Sequence, residues 1–309
     1  LNYGSVLTYY ALQQKIKEFG LSPLMLDKPG ASKDDIERLN THSRRFANDH
    51  FHISKPYALK DLYVLNRYCD SFIIGSDQVW NYGISKNFGK SFYLDFVNDD
   101  KKKIAYAVSF GHGVDFAPPS ERVAISRLMK RFDAISVRED SGVQLCKDIY
   151  GVEATHVLDP VFIIDPSHYH ELADRSTCKE EGPYILAYIL DVTPEKKELM
   201  LQMSRKLGLR LVVLLDGFSD SAERNRKILD LDDNVRMHIE VYDWLYYFKN
   251  ASYVLTDSFH GTSYSILFGK QFLPLTNKRR GYARFESLAR LLNFESRLIN
   301  DPVEAIKNE

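Results

Sequence analysis

The chain has 309 residues, with 41 Lys+Arg against 42 Asp+Glu and a net charge of -1; at roughly 100–200 residues per domain, this length suits two domains. The charge balance argues against a broad nucleic-acid surface, which needs a basic excess on one face. A content of 44% hydrophobic and 27% charged residues supports large buried cores and excludes a disordered chain.

The chain opens on Leu1-Asn2-Tyr3-Gly4-Ser5, a loop running straight into a helix over 6–19, where Leu7, Tyr10, Ala11, Ile16 and Phe19 recur at helical spacing before Gly20. A doubly wound domain feeds such a loop from a buried strand, so a first strand is expected to be missing ahead of Leu1. A short strand at 24–26 follows, then a polar stretch over 30–70 that is helical at best. Strands are predicted at 72–75, 103–110 and 134–137 and from 156 onward, with helices opening at Pro118 and Glu139. Residues 165–183 are polar and turn-rich and read as the linker. Strand–helix alternation then resumes: strands at 184–190, 210–215, 253–256 and 271–275, helices at 194–207, 241–249, 259–268 and 284–292, and a charged, irregular or helical stretch at 216–235. Such alternation means parallel sheets covered by helices, and a tandem pair of such domains binds ligands between them, at the carboxyl ends of the strands.

The longest apolar runs, 184–190 and 209–215, fall far short of the about 20 residues of a membrane span. No charged-then-apolar leader opens the chain. Three scattered cysteines, Cys69, Cys146 and Cys178, form neither a disulfide framework nor a metal pattern, so a cytoplasmic protein is expected.

The strongest local feature is the strand entering Thr256-Asp257-Ser258 and then a helix. Helix N-terminal N–H groups carry partial positive charge and suit a phosphate or carboxylate. His260 in the first turn could reach the same anion, and Gly261 would allow close approach. The competing reading is that Asp257 or Ser258 caps a core helix and His260 fills a gap. Arg138 ends a strand, where its planar fork suits an anion, unless it is a surface Arg paired with Glu139 or Asp140. Ser76, Asp77 and Gln78 follow Gly75 in a third strand-end loop of a composition that sugar sites share with ordinary turns. Asn2, Gly4 and Ser5 form a small anion- or hydroxyl-binding loop, and Lys278 and Arg279 follow the strand at 271–275, with Arg280 and Arg284 beyond. His50 and His52 are spaced for a metal but lack a third ligand, so no metal is expected. There is no P-loop, Gly-x-Gly-x-x-Gly or Gly-x-Ser-x-Gly motif.

In order along the chain, Asn2-Tyr3-Gly4-Ser5-Val6-Leu7, Gly75-Ser76-Asp77-Gln78-Val79-Trp80-Asn81, Ala107-Val108-Ser109-Phe110-Gly111, Ser136-Val137-Arg138-Glu139-Asp140-Ser141, His156-Val157-Leu158-Asp159-Pro160 and Thr256-Asp257-Ser258-Phe259-His260-Gly261 together resemble the polysaccharide pyruvyl transferase family. The resemblance implies an α/β fold with two Rossmann-like domains facing a cleft, similar to GT-B glycosyltransferases: 1–170, with its first strand missing, and 180–309, whose last helix packs back on the N-terminal lobe. It also implies transfer of pyruvate from phosphoenolpyruvate, as donor substrate and without a cofactor, onto two hydroxyls of a sugar or lipid-linked oligosaccharide. A lipid-linked acceptor would bring the protein to a membrane surface without a transmembrane segment.

In the family the positions of Arg138 and His260 are associated with donor binding and catalysis, and a later basic residue matches the region 278–280 loosely. This chain has Ser5 where members carry Asp and Ser258 where they carry Arg. A donor phosphate would then lean on Arg138, the helix N-terminus and Lys278 or Arg279. The alternatives are a GT-B enzyme using a nucleotide sugar, or a carbohydrate-binding relative without turnover.

Overall fold

The computed structural model describes residues 2–27, 41–216, 220–277 and 280–308. Helix α1 (Tyr3–Glu18) and helix α2 (His42–His50) precede a four-stranded parallel sheet in the order β1 (Ser71–Asp77), β2 (Lys102–Val108), β3 (Ala134–Val137), β4 (Thr155–His156), with α3 (Pro119–Met129) and α4 (Asp140–Leu145) among its crossovers. Helix α5 (Ser167–Ala173) leads to a second sheet containing β5 (Tyr184–Tyr188), β6 (Arg210–Leu214), β7 (Val235–Arg236), β8 (Tyr253–Thr256) and β9 (Gln271–Pro274). Its order is β7-β6-β5-β8-β9, again all parallel. Helices α6 (Pro194–Leu207), α7 (Asp220–Leu229), α8 (Val241–Asn250), α9 (Phe259–Leu267), α10 (Tyr282–Leu292) and α11 (Pro302–Asn308) complete the chain.

The period-two geometry of a strand explains the layers. All five residues of β5 are buried, because successive side chains enter different cores: Tyr184, Leu186 and Tyr188 one, Ile185 and Ala187 the other. The second core is closed by Leu199, Met200 and Met203 of α6. The first holds Trp244, Leu245 and Phe248 of α8 together with Tyr3, Val6, Leu7, Tyr10 and Ala11 of α1, so the first helix packs beneath the second sheet. Tyr3 lies 5.8 Å from Trp244, ring to ring and stacked. The four-stranded sheet has its own core around Trp80, Phe110, Met129 and Tyr150.

Four expectations are corrected. Residues 165–183 are not a plain linker: α5 buries Tyr169, Leu172 and Ala173 in the shared core, and its apolar face is hidden in the sequence by four polar neighbours. The strand at 24–26 reduces to one bridge, Met25 to Ile53. The helix opening at Glu139 begins at Asp140 and becomes a π turn over Cys146–Tyr150. Helix α10 is not the last: it meets the N-terminal half, where Asp140 accepts from Ser287 Oγ at 2.9 Å and from Arg290 at 2.5 Å, while the final helix, α11, packs on α6. Among the described residues no helix is long and apolar enough to cross a membrane.

Candidate active site

The carboxyl ends of β1, β5 and β8 and the start of α1 open on one cleft of about 430 Å³. Asn2, Gly4, Asp77, Gln78, Asp257, Ser258 and His260 lie on its wall, and so do Tyr9, His112, Arg280 and Arg284. Parallel strands deliver every loop that follows them to the same side of the sheet, which is why residues so far apart in sequence converge here.

His260 is positioned by α9 and α1 together. Ser258 caps α9, accepting from Gly261 N at 3.2 Å, and this places His260 in the first turn. Its ring lies against the backbone of α1: a Cβ on Gly4 would stand 2.2 Å from His260 Cγ, so only glycine fits there. On the far side, His260 Nε2 is 3.1 Å from Thr8 Oγ1, and that hydroxyl donates to Asp159 Oδ1 at 3.2 Å. A hydroxyl has one proton. Spending it on the carboxylate, Thr8 must accept from His260, so the neutral imidazole carries its proton on Nε2 and leaves Nδ1 as the basic atom beside Gly4. Burial and the cations Arg138 and Arg284 lower the pKa of His260 to about 4, against the pull of Asp159 and Asp77.

Behind the wall stands a buried charge cluster. Arg138 gives NH1 to Asp159 Oδ2 at 2.6 Å and NH2 to Asp77 Oδ1 at 3.0 Å, and its side chain has no exposure. The sequence reading had this guanidinium reaching an anion directly, or pairing on the surface with Glu139 or Asp140. The structure sets it one layer back, with both ends of its fork given to carboxylates from β1 and from the turn after β4. Ser76 sits there too, donating to Asp159 at 3.1 Å.

Asp77 takes a left-handed φ of 74° and accepts from Ser5 Oγ at 2.5 Å. Burial opposes its ionisation, yet Arg138 above all, with His260 and Arg284, holds its carboxyl well below the usual carboxylate range. Glu139 is fully buried; desolvation raises its pKa, against the pull of Arg138.

Asp257 and Gly261 hold the frame. Asp257 accepts from Leu190 N at 2.6 Å, Asp191 N at 3.2 Å, Lys196 Nζ at 2.6 Å and Asn277 Nδ2 at 3.1 Å, tying β8 to the loop after β5. The close approach that Gly261 permits is to Thr256, whose Oγ1 would stand 2.3 Å from a Cβ. Gln78 lies over Gly111 and accepts from Asn81 Nδ2 at 3.0 Å. Asn2 caps α1, accepting from Ser5 N at 2.8 Å. Lys278 and Arg279 lie outside the described residues.

Two participants were not singled out from the sequence, and a third was named without a role of its own. Asp159, which orients Arg138 and Thr8, lies inside the His156–Pro160 motif but shows no chemistry of its own there. Thr8 lies mid-helix. Arg284 is the third: it lies beyond the basic run at 278–280, of a kind that usually forms a solvated face but here follows a strand's carboxyl end.

A family model described as polysaccharide pyruvyl transferase matches residues 2–279. The chain belongs to that family. Members of this pyruvyl transferase family are transferases, and the match takes in the cleft residues from Asn2 to His260, while Arg280 and Arg284 lie beyond its end. No curated protein matches the sequence.

Among solved structures, S. aureus MnaA in its UDP co-structure aligns over 97% of this pyruvyl transferase family chain and 90% of its own, at 13% identity and a TM-score of 0.57. UDP-GlcNAc 2-epimerase from Neisseria meningitidis, bound to UDP-GlcNAc, covers 96% and 92% at 13% identity and a TM-score of 0.53. The Methanocaldococcus jannaschii UDP-GlcNAc 2-epimerase in complex with UDP-GlcNAc and UDP covers 96% and 86% at 12% identity and a TM-score of 0.51. These likenesses speak to fold alone: the two halves are Rossmann-like and arranged as in GT-B proteins.

Proposed function

We propose that the protein transfers the pyruvyl unit of phosphoenolpyruvate to two hydroxyls of a sugar in a cell-surface polysaccharide or its precursor. A cyclic ketal forms and phosphate leaves; the donor is a substrate and no cofactor is required. The acceptor is a sugar or a lipid-linked oligosaccharide met in the cytoplasm. The observation that carries this reading is an imidazole beside guanidinium groups in the cleft of a pyruvyl transferase family chain. Phosphoenolpyruvate brings a carboxylate and a phosphate for the cations, and a vinyl carbon that must gain a proton.

The first hydroxyl oxygen bonds to the central carbon as the π electrons take a proton at the terminal carbon. The carbon–oxygen bond to phosphate then breaks, phosphate leaving with the electron pair, and the second hydroxyl oxygen bonds to the same carbon. One hydroxyl proton is thus balanced at the new methyl group and the other leaves with phosphate. His260 Nδ1 is the atom assigned to the proton at carbon. Its low pKa keeps it neutral in the free protein, and a dianionic donor raises it toward the working pH. Arg138 holds Asp77 and Asp159 in place behind it.

Incubation with phosphoenolpyruvate and candidate acceptors should release phosphate and add the mass of pyruvic acid less water to the acceptor. His260→Gln should lower kcat by about 10²–10⁴-fold while donor affinity stays within a few-fold. Parent-like turnover in that variant would remove His260 from the chemistry. Thermal stabilisation by nucleotide sugars and none by phosphoenolpyruvate would replace the whole reading with a glycosyltransferase.

A further inference from the structure

Two guanidinium groups flank the ring of Phe259, Arg138 at 5.0 Å and Arg284 at 5.4 Å from its centroid, but their surroundings differ. Arg138 is matched by carboxylates at 2.6 and 3.0 Å. Arg284 is nearly as deeply buried, with 7% side-chain exposure, and its nearest approach to a carboxylate is 3.9 Å, to Asp77. It donates through NH2 to the Arg280 carbonyl, while its Nε has no partner among the described residues.

Desolvation and the repulsion of Arg138 bring its pKa down to about 10, so it stays charged at neutral pH. A buried charge without a close partner is costly, and an incoming anion relieves that cost. Its neighbour Arg280 is already held by Asp191 through two bonds of 2.7 and 3.0 Å, which leaves Arg284 the less satisfied of the two arginines that line the cleft among the described residues.

The helix that carries Arg284 also meets the N-terminal half closely. Helix α10 starts at Gly281, whose φ is 98° and whose absent Cβ would stand 2.2 Å from the Gly111 carbonyl oxygen. The backbone of α10 is therefore seated directly against the N-terminal half, and Arg284 projects from its first turn into the cleft wall.

We propose that Arg284 is the anion-binding residue of the cleft, its fork taking a carboxylate or phosphate of the donor. The inference builds on the donor reading above, and the probes separate the two. Thermal stabilisation by phosphoenolpyruvate, inorganic phosphate and pyruvate is measured for the parent, Arg284→Gln and Arg284→Lys. Stabilisation of the parent should be lost in Arg284→Gln, with affinity at least about 10-fold weaker, and partly kept in Arg284→Lys, which retains the charge without the fork. Loss of the phosphate effect assigns the phosphate end to Arg284, and loss of the pyruvate effect assigns the carboxylate end.

Phosphate binding that depends on Arg284, without any binding of phosphoenolpyruvate, would keep this site and sink the donor reading. Binding of every probe by Arg284→Gln as tightly as by the parent would overturn the site and leave the donor reading standing. A parent that binds none of the three would overturn both. Should Arg284→Gln fail to fold, Arg284→Lys decides alone: a several-fold weakening supports the site, and parent-like affinity rejects it.

Discussion

Arg138 bridges two carboxylates, the fully buried Asp159 and the partly exposed Asp77. Arg138→Met is expected to cost about 3–5 kcal/mol of folding stability, because the fully buried Asp159 keeps its burial and loses its cation. Urea midpoints of parent and variant check this; a difference under 1 kcal/mol would mean the cluster is hydrated or protonated. His260 has the opposite character. Its folded pKa of about 4 lies below the ordinary 6.5, so as pH falls below 6.5 the unfolded chain takes a proton that the folded one refuses. Stability is therefore complete above pH 6.5 and lost as pH falls toward 4, by about 3 kcal/mol in all, of which roughly 2 is gone by pH 5. His42, lowered to about 3 chiefly by burial, acts in the same direction. His260→Gln should therefore be less acid-sensitive than the parent between pH 7 and pH 5; equal sensitivity would refute the buried-neutral assignment.

Helix α1 and helix α9 meet backbone to ring, through Gly4 and His260. Gly4→Ala should push the imidazole off Thr8, costing about 1–3 kcal/mol by overpacking and lowering phosphate release more than an equal loss of stability elsewhere would. Unchanged stability and turnover would show that the contact can relax. Elements of this kind were largely legible beforehand. The run 253–269 announces a strand, a cap and a helix within one short stretch, and 71–77 and 134–138 end on polar residues where a buried strand stops, so the loops at the cleft could be read from local pattern. Which residue of a loop faces the cleft could not. Arg138 turns inward because Asp159 stands 21 residues further on, and Arg284 surfaces on the wall because α10 closes against Gly111. Both are set by pairings across the sheet that no local spacing encodes. Helix α5 was missed for a related reason, since its burial comes from α8 and not from its own composition.

The whole molecule has two sheets, and one of its cores is shared between the halves. Tyr3, Leu7 and Tyr10 from α1 and Tyr169 from α5 share an aromatic core with Tyr184, Trp244 and Tyr264. Thermal unfolding should therefore be one transition, with calorimetric and van't Hoff enthalpies in agreement; two resolved transitions would mean that the halves melt independently.

The same shared helix has a kinetic corollary. Thr8 rides on α1, which packs against β1 and the turn at Pro160–Phe162, while His260 rides on the sheet of the other half. A swing that carried Thr8 with β1 away from the other half would stretch the Thr8–His260 bond, and with it the restraint that keeps the imidazole proton on Nε2. The nitrogen-15 resonances of that one ring would then follow the angle between the halves, making the imidazole a gauge of closure.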